Sequence, residues 1–278
     1  MSVSVNDVKR AAQACGVEQG DILLVHSSFK SLGPVDGGAE TVISGFLEAL
    51  GEEGTLVLPT FCQKEFEHAY ETWHLDKYSD VGYLTNYFRK REGSVRSDQA
   101  THSVAACGKK AQWLTRTHGH THKRFGNMGD TPFSADSPWE KMYQENAKIL
   151  LLGVTPMSIT FRHYAEYLYI EECLKNLEGH PEYAQMKSEL HSYDKFGKLD
   201  PWPHVYNVWV YEQMEKLGMT RSAQCGNATF LCVEAKPFVD FVLEQLKKKE
   251  DRILWRIENA WDTDEWIAWR NRYEENIH

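Results

Sequence analysis

The chain has 278 residues, 42% hydrophobic and 26% charged, with a net charge of -9, which is enough apolar material for a real core in one large α/β domain or two small ones. The acidic balance sets phosphate backbones aside as partners and suits a small cation such as a polyamine or an amino sugar. No basic start followed by an apolar run opens the chain, no stretch reaches the ~20 apolar residues of a membrane span, and the six cysteines form no CxxC pair; together these read as a cytoplasmic protein with reduced, mostly buried thiols.

In chain order, Asn6 can cap a first helix over 7–15, which Gly16 stops. The aliphatic run 21–26 is bounded by Gly20 and Ser27-Ser28 and predicts a buried strand. After the turn at Asp36-Gly37-Gly38, apolar positions at Val42, Ile43, Phe46, Leu47 and Leu50 have helical spacing. A second buried strand, 55–58, is closed by Pro59, so strand, helix and strand make a parallel crossover unit. Residues 62–81 differ, mixing Glu65, Glu67, Glu71, Asp76 and Asp80 with Phe66, Tyr70, Trp73 and Tyr78 without a clean period. A long unstructured stretch is functional or disordered, and the aromatics argue against disorder.

Further on, the pattern predicts a helix over 84–91, a short strand over 103–107 and a short helix over 111–117. Ser137-Pro138 opens a helix over 139–145. The plainest buried strand is 149–154, followed by a long helix over 160–177. Beyond Pro181 the signal weakens to a helix over 206–217, a strand over 228–233 and a helix over 237–249. The tail carries Trp255, Trp261, Trp266 and Trp269, and the last two can share a helix face that docks on the body. No repeat, low-complexity segment or linker divides 1–278, which reads as a single domain with a central mixed sheet flanked by helices, an α/β fold.

Four clusters can carry chemistry. His163 and Glu166 lie three apart on the predicted helix, just past a buried strand, where a carboxylate can hold an imidazole's tautomer for proton transfer. On spacing alone, an incidental surface pair is the plainer reading. The segment His26-Ser27-Ser28-Phe29-Lys30-Ser31-Leu32-Gly33-Pro34-Val35-Asp36-Gly37-Gly38-Ala39 has hydroxyls, paired glycines and a helix start, which is either an anion cradle or a plain turn. His102-Ser103 forms a third cluster, with Arg96 upstream as a candidate phosphate ligand or an ordinary surface arginine. His118, His120 and His122 alternate on one segment, which is either a metal site or a mobile glycine-bearing loop.

The ordered series resembles the aminoglycoside 3-N-acetyltransferases, the antibiotic N-acetyltransferases unrelated in fold to the GNAT enzymes. It runs through Leu24-Val25-His26-Ser27-Ser28-Phe29-Lys30-Ser31-Leu32-Gly33, Asp36-Gly37-Gly38-Ala39-Glu40-Thr41-Val42, Gly54-Thr55-Leu56-Val57-Leu58-Pro59-Thr60-Phe61, Arg96-Ser97, His102-Ser103-Val104-Ala105-Ala106, Ser137-Pro138, Leu150-Leu151-Leu152-Gly153-Val154 and 160–166. The resemblance implies an acetyl-CoA-dependent transfer to an amine, with no metal. It implies a coenzyme A pocket from His26, Ser27, Ser28, Phe29, Ser31, Val35, His102 and Ser103. It implies a catalytic centre of His163 as base with Glu166, and Thr160 at the acetyl carbonyl or pocket wall. Asp136 is a candidate to extend that network. The implied partner is a cationic aminoglycoside lying against 65–80; a homodimer is left open. The chain departs from the family at Gln99-Ala100, where His-Pro is common. The competing expectations are an acetyltransferase for another amine, a metal-dependent hydrolase built on His118, His120 and His122, and a non-catalytic coenzyme A binder.

Overall fold

The computed structural model describes residues 2–62, 64, 68–190, 201–255 and 263–277, so the readings for Glu65, Phe66, Glu67 and Trp261 lie outside the described residues. Seven strands make one sheet in the order β3-β4-β2-β1-β5-β7-β6: β1 Ile22–Ser27, β2 Thr55–Pro59, β3 Val95–Arg96, β4 Val104–Gly108, β5 Lys148–Leu152, β6 Thr220–Cys225 and β7 Ala228–Glu234. The centre is parallel, with Leu24 facing Val57 of β2 and Ile149 of β5. The flanks are antiparallel, β4 on β2 and β7 on β5. The mixed sheet is as expected, and the parallel centre needs both faces covered.

One face carries α1 (Val5–Ala14) and α2 (Ala39–Leu50), with Val8, Phe46, Leu23, Val25 and Leu56 in one apolar cluster. The other face buries Ile22, Leu24, Val57 and Ile149 against Trp139, Phe161 and Tyr164. Those aromatics come from α6 (Pro138–Gln144) and α7 (Phe161–Asn176). Side chains alternate along a strand, so His26 follows Ile22 and Leu24 onto the α7 face. The remaining helices are α3 (Ala69–Thr72), α4 (Tyr83–Phe88), α5 (Ala111–Thr115), α8 (Tyr183–Glu189), α9 (Asn207–Lys216), α10 (Ala235–Lys247) and α11 (Thr263–Asn276). On α11, Trp266 and Trp269 are buried and stack at 5.4 Å, so the tail docks its indoles as expected.

Several boundaries differ from the sequence reading. Ser4, not Asn6, caps α1, because Asp7 stands three residues on and completes a reciprocal capping box. Strand β6 was not legible: it is the polar edge strand Thr-Arg-Ser-Ala-Gln-Cys, largely exposed on its outer side. The excursion 62–81 is tied down where it is described. Arg96 donates to the carbonyls of Thr60, Leu75 and Lys77 and lies 4.6 Å over the Trp73 ring. All six cysteines are free thiols, five of them buried.

Candidate active site

Parallel α/β sheets place ligands at the carboxyl ends of their strands. A cavity of about 300 Å³ opens there, lined by His26 and Ser27 at the end of β1, Pro59 at the end of β2 and Val154 just past β5. Phe61, His102, Thr160, Arg162 and His163 complete its polar and aromatic wall.

His163 stands in the first turn of α7, with Thr160 as N-cap and the His163 N–H on the Thr160 carbonyl at 2.9 Å. Three residues on, Glu166 lies under the same helix face, and His163 Nδ1 meets Glu166 Oε2 at 2.9 Å. The Glu166 side chain is 0% exposed and that of His163 19%, so the carboxylate sits behind the ring and the ring faces the cavity. Glu166 also accepts from Trp202 Nε1 at 3.1 Å on Oε2 and from the Val205 N–H at 2.8 Å on Oε1. Burial pushes its carboxyl up, but His163, His204 and Arg162 outweigh that and hold it below its ordinary value. An ionised carboxylate only accepts, so Nδ1 carries the His163 proton. Nε2 therefore bears a lone pair, and it takes the Arg162 Nε–H at 3.3 Å. Burial, helped by Arg162 and opposed by Glu166, lowers the His163 pKa below its ordinary value. The result is a neutral imidazole that faces the cavity in one tautomer, with Arg162 over its lone pair, and a general base requires that tautomer.

His102 packs its ring 6.0 Å edge-on from His163 and 5.0 Å from Phe133, with Nδ1 on Thr101 Oγ1 at 2.8 Å. Burial, with His163 and His118, drives its pKa well down, so it too is neutral. His26 is buried with Nε2 lacking any partner among the described residues, and burial lowers its pKa to about 4. A buried polar atom without a partner, at a cavity wall, fits a site that a polar ligand completes.

The family model for aminoglycoside 3-N-acetyltransferase matches residues 24–247, which spans the whole of this site. The chain belongs to the aminoglycoside 3-N-acetyltransferase family. With it, the protein stands among the acetyl-CoA:amine N-acetyltransferases. Aminoglycoside N(3)-acetyltransferase III of Salmonella sp is 28% identical over 272 residues, covering 87% of this chain and 90% of its own length. The solved structure of AAC-IIIb binary with CoASH superposes with a TM-score of 0.68 at 18% identity, covering 93% of this chain and 100% of its own. A mutant of aminoglycoside acetyltransferase AAC(3)-IVa in complex with a gentamicin gives 0.69 at 18% identity, covering 95% and 97%.

Within this acetyltransferase fold, the cavity gathers His26, Ser27, His102, Thr160 and His163 from the residues singled out in the sequence, with Glu166 directly behind. The others lie outside its wall. Ser28 gives its N–H to Leu152 O at 2.8 Å and caps the turn Phe29–Leu32, and Ser31 Oγ donates back to Ser28 O at 2.6 Å. Phe29 packs on Tyr83 at 5.2 Å, and Val35 bridges to Val3. Ser103 is fully buried, bonding Thr60 at 2.9 Å beside Arg96 Nε at 3.3 Å. Arg96 is thus a tie between the sheet and the 62–81 segment, neither a surface arginine nor a free anion ligand. Gln99, at the departure from His-Pro, receives the N–H groups of Thr101 and His102 and so shapes the turn leading to His102.

The histidine triplet does not converge. His118 is buried with Nδ1 on Ser97 Oγ and Nε2 on Pro132 O, both at 2.9 Å, whereas His120 and His122 are exposed. Among the described residues no group of three His, Cys, Asp or Glu is placed to share an ion, so the metal-hydrolase expectation loses its ligand set. Asp136 serves the same loop, accepting from Thr121 and Ser134. Sequence reasoning missed Arg162, Trp202 and the Val205 N–H. The first stood beside His163 but had no motif of its own, and the other two come from a segment more than thirty residues away along the chain.

Proposed function

We propose that this protein transfers the acetyl group of acetyl-CoA to the 3-amine of an aminoglycoside, by direct attack within a ternary complex, with His163 as general base. The observation that carries this is the His163 Nε2 lone pair at the cavity wall, backed by a buried, ionised Glu166. The amine nitrogen attacks the thioester carbon and gives its proton to Nε2, and Glu166 stabilises the imidazolium. Collapse of the tetrahedral intermediate breaks the C–S bond, and the thiolate leaves with the proton that His163 holds. A direct attack requires both substrates to share the cavity, and of two solved structures of the same fold one is a binary with CoASH and the other a complex with a gentamicin. The net charge of -9 and the exposed Glu71 and Asp76 favour the approach of a polycation.

A second reading keeps the chemistry and changes the acceptor to an amine with less positive charge. It is favoured by one observation: among the described cavity residues the only charged side chain is the Arg162 cation. Thiol release from acetyl-CoA across gentamicin, kanamycin, apramycin, spermidine and an amino-phosphonate decides between them. Saturable turnover with a deoxystreptamine compound supports the first. Turnover confined to another amine replaces it with the second, and coenzyme A binding without turnover removes both.

A further inference from the structure

Arg162 takes no part in the proton transfer described above, yet its guanidinium lines the same cavity as His163. It spends Nε–H on His163 Nε2 at 3.3 Å and Nη1–H on Val205 O at 3.2 Å, and it stacks 5.3 Å over the Trp255 ring. Glu166, the carboxylate that acts on it, is already spent on three other donors. Nη2 therefore keeps both its hydrogens unspent among the described residues. Arginine stays charged when buried and presents its donors in one rigid plane. A cation so placed, with no ion-pair partner among the described residues and beside a base, is costly unless negative charge arrives.

Negative charge does arrive beside the base during acyl transfer. The attacking nitrogen sits within about 2.6–3.2 Å of the base that deprotonates it, and its target carbon lies about 3–3.5 Å from that nitrogen. The carbonyl oxygen of the thioester is thus two contacts from Nε2, and Arg162 is already one contact from Nε2. A donor aimed at the developing oxyanion in a site shielded from water strengthens in the transition state.

We propose that Arg162 is a catalytic residue that donates the hydrogen bond holding the thioester carbonyl oxygen as it becomes an oxyanion. The proposal rests on the acetyl-transfer reading above. In the free enzyme the Arg162 Nε–H covers the base's lone pair. When acetyl-CoA binds, the guanidinium turns its N–H groups to the carbonyl oxygen and releases Nε2, and an amine N–H then takes that place. As nitrogen bonds to carbon, the C=O π pair moves onto oxygen and is held by Arg162, while the amine proton goes to Nε2. The pair returns as the C–S bond breaks, and the thiolate takes the proton from His163.

The test reads the bound carbonyl directly. Acetyl-CoA labelled with carbon-13 at the carbonyl is bound to wild type, Arg162→Gln and Arg162→Lys, and the carbonyl stretch and chemical shift are compared with those of free acetyl-CoA. The expected result is a carbonyl polarised in wild type, reverted in Arg162→Gln, and partly retained in Arg162→Lys, which keeps the charge and guards against a folding defect. Alongside it, the high-pH plateau of kcat falls by about 100- to 1,000-fold in Arg162→Gln, with coenzyme A affinity within a few-fold of wild type. An unpolarised carbonyl in wild type overturns the proposal. So does a plateau unchanged in Arg162→Gln with only the acid limb displaced, because Arg162 then acts on His163 alone. Absence of saturable acetyl-CoA binding in wild type is a separate outcome and removes the acetyl-transfer reading itself.

Discussion

Replacing Glu166 by glutamine separates the charge of that side chain from its shape. The carboxylate takes His163 Nδ1 at 2.9 Å and Trp202 Nε1 at 3.1 Å on Oε2, and the Val205 N–H at 2.8 Å on Oε1. A glutamine has one acceptor oxygen, so it keeps either the first two donors or the third. Placing the oxygen on His163 and Trp202 preserves two bonds and sets the new NH2 against the Val205 N–H. An orphaned buried donor of this kind costs about 1–3 kcal/mol of stability. In that orientation the His163 tautomer survives, and the loss is the negative charge beside the forming imidazolium. Two unit charges about 4 Å apart at an effective dielectric of about 20 attract by about 4 kcal/mol. Half-developed charge in the transition state therefore loses about 2 kcal/mol, or about 30-fold in kcat, and full charge about 1,000-fold. Steady-state thiol release at saturating acetyl-CoA and amine gives kcat, and urea unfolding gives the stability change. A variant that loses stability but keeps kcat within twofold of wild type would refute the electrostatic role and leave Glu166 as scaffold.

Other expectations follow from the same geometry. Acid should destabilise the fold early. His26 and His118 are held near pKa 4 by burial, against an ordinary 6.5, and His102 and His163 are shifted the same way. The unfolded chain binds more protons below 6.5, so stability is full above that value and is lost as pH falls through 6.5 toward 4. The first two contribute about 3 kcal/mol each, and a urea midpoint equal at pH 4.5 and 7 contradicts this. Trp202→Phe removes one donor from Glu166 Oε2 and should lower kcat by about 2- to 10-fold, as a net hydrogen-bond worth of about 0.5–1.5 kcal/mol gives, with KM for acetyl-CoA unchanged. Gly153→Ala should destabilise by about 1–3 kcal/mol, since φ there is +60° and a Cβ would stand 1.8 Å from Ser31 Oγ. Adding Ser31→Gly should recover the steric part, and an additive double variant in thermal melts contradicts that contact.

The parts of the fold legible in the sequence were those where burial forces composition. Strands β1, β2 and β5 lie between two helical layers, so both of their faces must be aliphatic and they read as apolar runs. Strand β6 pairs along one edge only, keeps polar residues outward and left no run to detect. The His163–Glu166 pair was legible because helical periodicity alone brings residues three apart together. What fixes Glu166 was not, because Trp202 and Val205 reach it through tertiary packing that no local pattern encodes. The same limit applies to the bonds of Ser103 to Thr60 and Arg96, which its place in the motif did not announce. The alternate histidines gave a spacing compatible with a metal, but spacing said nothing of orientation, and His118 turns inward to Ser97 and Pro132.

Whether His163 is the base that deprotonates the acceptor amine is decided by His163→Ala, comparing thiol release with a saturating deoxystreptamine acceptor and, in parallel, the affinity for coenzyme A. The expected result is turnover reduced by about 100- to 10,000-fold, the range for removal of a general base, with coenzyme A still bound and the acid limb of the wild-type pH profile gone. Turnover retained within a few-fold of wild type, with that limb still present, would contradict the assignment and place the proton transfer on another group.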